Sequence, residues 1–242
     1  GISEIYSAYS SWDIFVAKLD FNGNWAWIST STESGDSAYS NSISVGSNNE
    51  IYLAGSFYSN MYLGQNYLDG SGNQKGFIAK LDVNGNWEWA NVITCTCPTD
   101  ATDLIIDSNG MVLLLGEYNG GTVNFGKIQI PHLGDQKDIF IVAFNNSGFA
   151  KWALSAASNF NEYSRGISVD NLGNIYAVGA FGGSGYFGNN YTTVLGTFDM
   201  FLAKVSSDYD SDSIADVNDL DIDGDFIIDV IDLCPYSPIG FQ

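Results

Sequence analysis

The 242-residue sequence predicts an all-β fold built from repeats. Three observations carry that expectation. The composition favours strands, with 27 Gly, 14 Tyr and 15 Phe, and no long stretch has helical period. A self-similar pattern returns at roughly 62-residue intervals, a length that suits four strands plus loops. Asn-Gly pairs sit between strand-like runs, a strong signal for hairpins.

The first block of each repeat is a strand: Asp13–Asp20, Gly76–Asp82, Asp138–Phe144 and Asp199–Val205, all variants of D-x-F-V-A-K-L-D. A turn and a second strand follow at Asn22–Trp27, Asn84–Trp89 and, more loosely, Asn146–Trp152. Asn-Gly at a two-residue loop predicts a type I′ turn, in which both central residues take positive φ. The third block is another hairpin, Ile43–Gly55, Leu104–Gly116 and Ile167–Gly179. A short fourth block, Leu63-Gly64, Phe125-Gly126 and Phe187-Gly188, precedes a polar loop. The pattern gives three four-stranded units of about 62 residues and one extra opening strand.

These blocks resemble the bacterial and archaeal β-propeller repeats often called SBBP repeats, over about residues 13 to 205. The resemblance implies four-stranded sheets, stacked or arranged radially. It implies no particular activity. Closed propellers usually hold roughly four to eight blades, so three units leave edges to be covered. Residues 1–12 align with the end of a repeat and residues 199–205 with the start of one. These partial units would complete each other within one chain, or pair with the next molecule by strand addition.

Charge divides the chain. The net charge is −20, from 28 acidic and 8 basic side chains, and ten of the acids are Asp residues between Asp208 and Asp232. The sign and the scattered bases exclude a nucleic-acid partner and disfavour an anionic membrane surface. No run approaches the roughly 18 apolar residues of a membrane-spanning helix, so membrane insertion is not expected. Gly1 is not an initiator, and no basic n-region or apolar h-region opens the chain, which points to a mature product or a fragment.

Within residues 206–242 the acids fall into two loops thirteen residues apart. Asp208, Asp210, Asp212, Asp216 and Asp219 occupy positions 1, 3, 5, 9 and 12 of an EF-hand-like loop, with the Ile214 carbonyl at position 7. Asp221, Asp223, Asp225, Asp229 and Asp232 repeat the pattern with the Ile227 carbonyl. Hard carboxylate oxygens at this spacing suit calcium. A purely solvating acidic run would not need the register or the interleaved Ile214, Ile227 and Ile228. With Cys234-Pro235 the segment resembles a pair of thrombospondin type 3 repeats, which implies a calcium-wrapped, irregular tail with little core. Ser213 and Phe226 stand where that family has its second Gly. Mutual repulsion couples folding of the tail to metal binding, at the millimolar calcium found outside cells.

Three cysteines, Cys95, Cys97 and Cys234, allow one disulfide and one free thiol. The favoured pairing ties the tail to the body, Cys234 with Cys95 or Cys97, in an oxidising compartment. The single histidine, His132, reads as a loop residue, and no catalytic triad is apparent. Glu33, Asp36, Glu88, Glu117 and Glu162 are the acids outside the tail that a fold could pair, with nothing in their spacing to favour it. The Trp25/Trp27 and Trp87/Trp89 pairs place both rings on one strand face, for inter-sheet packing in preference to stacking sugars. Asn145 and Asn190 head N-glycosylation sequons.

Together these features predict a non-enzymatic, extracellular or cell-surface structural or adhesion subunit. It would be stabilised by calcium and would join copies head to tail into a fibre or array. The alternative is a monomeric module that binds surface glycans or protein, with the tail as a rigid spacer.

Overall fold

A computed structural model describes residues 12–33, 37–70, 72–132, 136–187 and 190–205. It contains seventeen strands and, among the described residues, no helix. In chain order they are β1 (Phe15–Leu19), β2 (Trp25–Glu33), β3 (Ala38–Val45), β4 (Ile51–Phe57), β5 (Met61–Leu63), β6 (Asn66–Leu68), β7 (Lys75–Leu81), β8 (Trp87–Val92) and β9 (Thr99–Ile106). Then come β10 (Val112–Asn119), β11 (Val123–Phe125), β12 (Ile128–Ile130), β13 (Lys137–Phe144), β14 (Ala150–Ser158), β15 (Glu162–Val169), β16 (Ile175–Phe187) and β17 (Asn190–Val205). The tail and residues 1–11 lie outside the described residues.

Strands pair into antiparallel four-stranded blades. Blade II is β3-β4-β7-β8 and blade III is β9-β10-β13-β14. Each takes its first two strands from one sequence repeat and its last two from the next. The repeat read from sequence is therefore half a unit out of phase with the sheet. Partial blades flank the complete ones. Blade I holds the third and fourth strand positions, β1 and β2, and blade IV the first three, β15, β16 and the second half of β17.

A clasp joins consecutive blades. The hairpin between a blade's second and third strands reaches back to the fourth strand of the preceding blade. Ser31–Glu33 of β2 pairs with Met61–Leu63 of β5, Thr94 bridges Asn124 of β11, and Ala156–Ser158 of β14 pairs with Gly185–Phe187 of β16.

The hairpin turns depart from type I′. Gly23, Gly85 and Gly148 have φ near +80°, but the Asn or Ser before each does not. Asp20 explains the choice: its Oδ1 accepts from the amides of Asn22 and Asn24 at 2.9 and 2.8 Å, which fixes a type I turn, and only Gly23 then needs positive φ to close it. Asp82 and Asn145 repeat the device. Hydrogen bonds from the Asn side chain and the turn amides hold the Asp20 and Asp82 carboxyls below the ordinary carboxylate value.

A bulge marks the first strand of all three inner hairpins, leaving Asn41, Thr102 and Arg165 as the extra residues. The residue opposite is always glycine. A Cβ on Gly55, Gly116 or Gly179 would lie 1.9, 2.3 or 2.1 Å from the carbonyl oxygen of Tyr39, Asp100 or Tyr163, which leaves no room for any other residue.

Three apolar cores lie between blades. Ile14 and Val16 of blade I meet Phe77 and Leu81 of blade II. Ile78 of blade II meets Phe140 and Phe144 of blade III, and Ile139 and Ile141 of blade III meet Phe201 and Val205 of blade IV. Each blade therefore has a face toward its predecessor, carried by Phe and Leu of the first block, and an opposite face toward its successor.

Candidate functional site: the blade faces and their turns

The first strands of adjacent blades are stitched by polar side chains. Asn41 Nδ2 donates to Ala101 O at 2.9 Å, and Ser42 Oγ donates to Asp103 Oδ1 at 2.7 Å. Asp103 Oδ2 in turn accepts from Ile167 N at 2.9 Å, so one carboxylate links three blades. Thr102 Oγ1 and Ser164 Oγ are 2.7 Å apart.

Farther out, a tryptophan of blade I and one of blade II each grip the turn of the following blade. Trp27 Nε1 donates to Val83 O at 3.1 Å, and Trp89 Nε1 to Asn146 O at 3.1 Å. Ser29 Oγ and Asn91 Nδ2 reinforce these contacts on Gly85 O and Gly148 O. The paired tryptophans do not share a face. A bulge at Lys80/Leu81 turns Trp87 toward the blade I/II core and Trp89 toward the blade II/III core. The same bulge at Lys18/Leu19 leaves Trp25 exposed and aims Trp27 at the next turn.

Ionisable groups gather where blades III and IV meet. Glu117, buried, is ion-paired with Lys137 at 2.8 Å and accepts from Ser164 N at 2.7 Å. Glu162 is fully buried and accepts from Ser158 N at 3.2 Å, and its Oε1 is hydrogen-bonded to Ser158 Oγ. Burial pushes the Glu162 carboxyl up to about 7, with the nearby Asp138 carboxylate adding to the effect. Burial also raises Asp100. His132 lies in the loop before β13, with Nε2 3.4 Å from the Asp138 carboxylate and 2.7 Å from Gln136 O.

The other acids considered from sequence are dispersed. Glu88 is on β8, 3.1 Å from Lys80, whereas the Glu33 side chain and Asp36 lie outside the described residues. Glu117 of blade III holds the Ser164 amide of blade IV, and Glu162 of blade IV holds the Ser158 amide of blade III. Sequence reasoning weighed them only as potential partners, because a carboxyl's burial has no signature in spacing.

Grooves lined by the described residues include two of note. A polar one of about 400 Å³ is lined by Ser47, Asn48, Glu50, Asn109, Asn146 and Lys151, and Glu50 Oε2 is buried there with no hydrogen-bond partner among the described residues. A more apolar groove of about 760 Å³ runs between blades III and IV, where Ile141, Leu154 and Ala156 face Phe181, Phe187 and Phe201.

The expected calcium ligands, Asp208 to Asp232 with the Ile214 and Ile227 carbonyls, lie outside the described residues, as does Cys234. Among the described residues no group of three or more His, Cys, Asp or Glu is placed to hold a metal ion. The expected bridge from Cys234 to Cys95 or Cys97 is corrected: Cys95 and Cys97 are bonded to each other, with Cα atoms 4.9 Å apart in a tight turn. Lys75 Nζ donates to Cys95 O and closes that turn from below. The Asn145 sequon is also engaged, since Asn145 Oδ1 accepts from two amides of its own turn.

Blades, clasps and inter-blade cores define a β-propeller-like repeat protein. No protein-family model matches the chain. It is similar to an uncharacterized WD repeat-containing protein of Acanthamoeba polyphaga mimivirus, at 22% identity over 170 residues, covering 58% of this chain and 12% of that protein. Folds of this kind are typically non-catalytic. Among the described residues no helix is long and apolar enough to cross a membrane.

Proposed function

We propose that the chain is an extracellular structural or adhesion subunit, stabilised by calcium in its acidic tail, whose copies join end to end into a surface fibre or array. One observation carries this reading: the terminal blade faces repeat the internal ones yet, among the described residues, are uncovered. Phe15 and Leu19 are 60% and 49% exposed where their counterparts Phe77 and Leu81 are 0%. Met200 and Leu202 are 85% and 67% exposed where Ile139 and Ile141 are 3% and 4%. Apolar patches of this kind mark association surfaces. The Cys95–Cys97 disulfide suits an oxidising compartment.

Electron microscopy at several protein concentrations, with millimolar calcium and then with chelator, tests the reading. Calcium-dependent fibres or arrays are expected. Single particles under both conditions at every concentration refute it.

A second reading rests on the polar groove. Asparagine amides and the unpartnered Glu50 oxygen suit a polyhydroxyl ligand, as in a glycan-binding module. Glycan-array binding that Glu50→Ala abolishes would favour it.

A further inference from the structure

We infer that copies of this chain complete one another's partial blades head to tail, the β1-β2 hairpin of each copy becoming the third and fourth strands of the next copy's blade IV. The inference rests on the end-to-end reading above and names the contact surface. Blade IV has strand positions one to three and, among the described residues, no fourth. Blade I has positions three and four and, among the described residues, neither of the first two. The two partial blades are complementary halves.

The hairpin fits by repeat equivalence. Asp13–Leu19 and Asp199–Val205 are the same block, and β16 holds the latter in the register that β4 uses for β7. Ile175 faces Val205 and Ala177 faces Ala203, as Ile51 faces Leu81 and Leu53 faces Ala79. Replacing Asp199–Val205 by Asp13–Leu19 of the second copy puts Leu19 opposite Ile175 and Ala17 opposite Ala177. The β16 ladder is exchanged strand for strand. The gain is the fourth strand, β2, which fills the groove over Leu154 and Ala156, together with burial of Phe15, Leu19 and Trp25. The hairpin stays on its own blade II meanwhile, because Ile14 and Val16 occupy the opposite face.

The tryptophan series points to the same contact independently. Trp152 takes the position of Trp27 and Trp89, opposite the residue before the bulge, yet its indole N–H has no partner among the described residues. The turn it would grip is that of Asp20–Asn24, with the Phe21 carbonyl in place of Val83 O and Asn146 O. That turn is uncovered. A Cβ on Gly85 would lie 2.6 Å from Trp27 and one on Gly148 3.2 Å from Trp89, whereas one on Gly23 meets nothing within 4 Å.

Sharing sets the stoichiometry. Each copy supplies two complete blades and two halves, three blades in all. Each contact joins the first blade of one copy to the last blade of its neighbour and leaves a half-blade free at either end, so copies add one after another into a fibre, three blades per chain.

Disulfide trapping in a Cys234→Ser background tests the contact. Mixing Ala17→Cys with Ala177→Cys chains is expected to give a mixed two-chain disulfide, and the double variant a ladder of two, three and more linked chains. Lys18→Cys with Ala177→Cys should give none, since a one-residue slip turns the side chain to the other face. Phe15→Asp with Leu19→Asp alters only side chains exposed in the single chain, so it should keep the monomer's circular dichroism and weaken pairing about 100-fold by sedimentation.

A bond within one chain of the double variant overturns the inference. So does wild-type protein that assembles without trapping at this register, an outcome that leaves the end-to-end reading standing. Protein that stays monomeric throughout refutes both.

Discussion

Glu162 should make this protein less stable as pH rises through neutrality. It opens β15 inside the blade III/IV junction, fully buried beside the Asp138 carboxylate. Ser158 Oγ contacts both Glu162 Oε1 and Gly182 O, and accepts from Phe160 N at 3.0 Å. A hydroxyl has one proton, so it can donate to only one of those two oxygens. A neutral Glu162 supplies the missing proton, donating to Ser158 Oγ while the hydroxyl donates to Gly182 O. Burial thus favours the protonated acid, and the pKa rises from its ordinary 4.5 to about 7.

Between those values the folded state binds more protons than the unfolded chain, so unfolding free energy falls as pH increases. The full penalty above pH 7 is about 3 kcal/mol, and it is absent below the unfolded value. Glu162→Gln keeps the shape, lets Nε2 donate to Ser158 Oγ, and carries no charge. Its stability should match wild type within about 1 kcal/mol at pH 4 and exceed it by up to about 3 kcal/mol at pH 8. Urea unfolding of both proteins at unit steps from pH 4 to 8 measures the difference. The depressed Asp20, Asp82 and Asp170 carboxyls act in the opposite sense, losing their contribution as pH falls through their folded values, and they are common to both proteins. Parallel curves for wild type and variant, or a gap that narrows with pH, would refute the argument.

Three further outcomes are expected. Gly116→Ala places a Cβ 2.3 Å from Asp100 O and 2.2 Å from Phe140 Cζ, and should lower the urea-derived stability by about 3 kcal/mol with an unchanged denaturant slope. Trp89→Phe removes the indole bond to Asn146 O and should cost about 1 kcal/mol, whereas Trp25→Phe, at an exposed ring, should stay within about 0.5 kcal/mol by the same measurement. Asp223→Asn with Asp225→Asn should weaken calcium binding at least about tenfold by calorimetry, while the melting of the repeat body in chelator is unchanged.

The strands were legible because hydrophobic alternation and Asn-Gly punctuation are local, and the sheet ladders obey them. The turn type was not, since it depends on Asp20 capping the amides of Asn22 and Asn24 from outside the Asn-Gly pair. Trp87 and Trp89 were expected on one face by simple alternation, and a single bulge at Lys80/Leu81 separates them. The proximity of Cys95 and Cys97 was visible, but their mutual bond depends on the backbone turn that Lys75 helps to close. Glu162 could not be distinguished from any exposed acid at the start of a strand. Its burial comes from packing against Ser158 and Gly182, which are brought together only in the fold.

The half-unit offset between repeat and blade has a consequence for assembly. When a blade takes two strands from each of two successive repeats, a run of whole repeats begins with an outer half-blade and ends with an inner one. Here the extra first block, Asp199–Val205, adds a third strand to the inner half, and that strand occupies the position the β1-β2 hairpin of another copy would take. The single chain thus protects its own β16 edge with a strand equivalent to the incoming one, and among the described residues the fourth position is open. Displacement exchanges like for like along β16, so the driving force must come from what β17 cannot provide: the fourth strand, and an aromatic turn for Trp152 to hold.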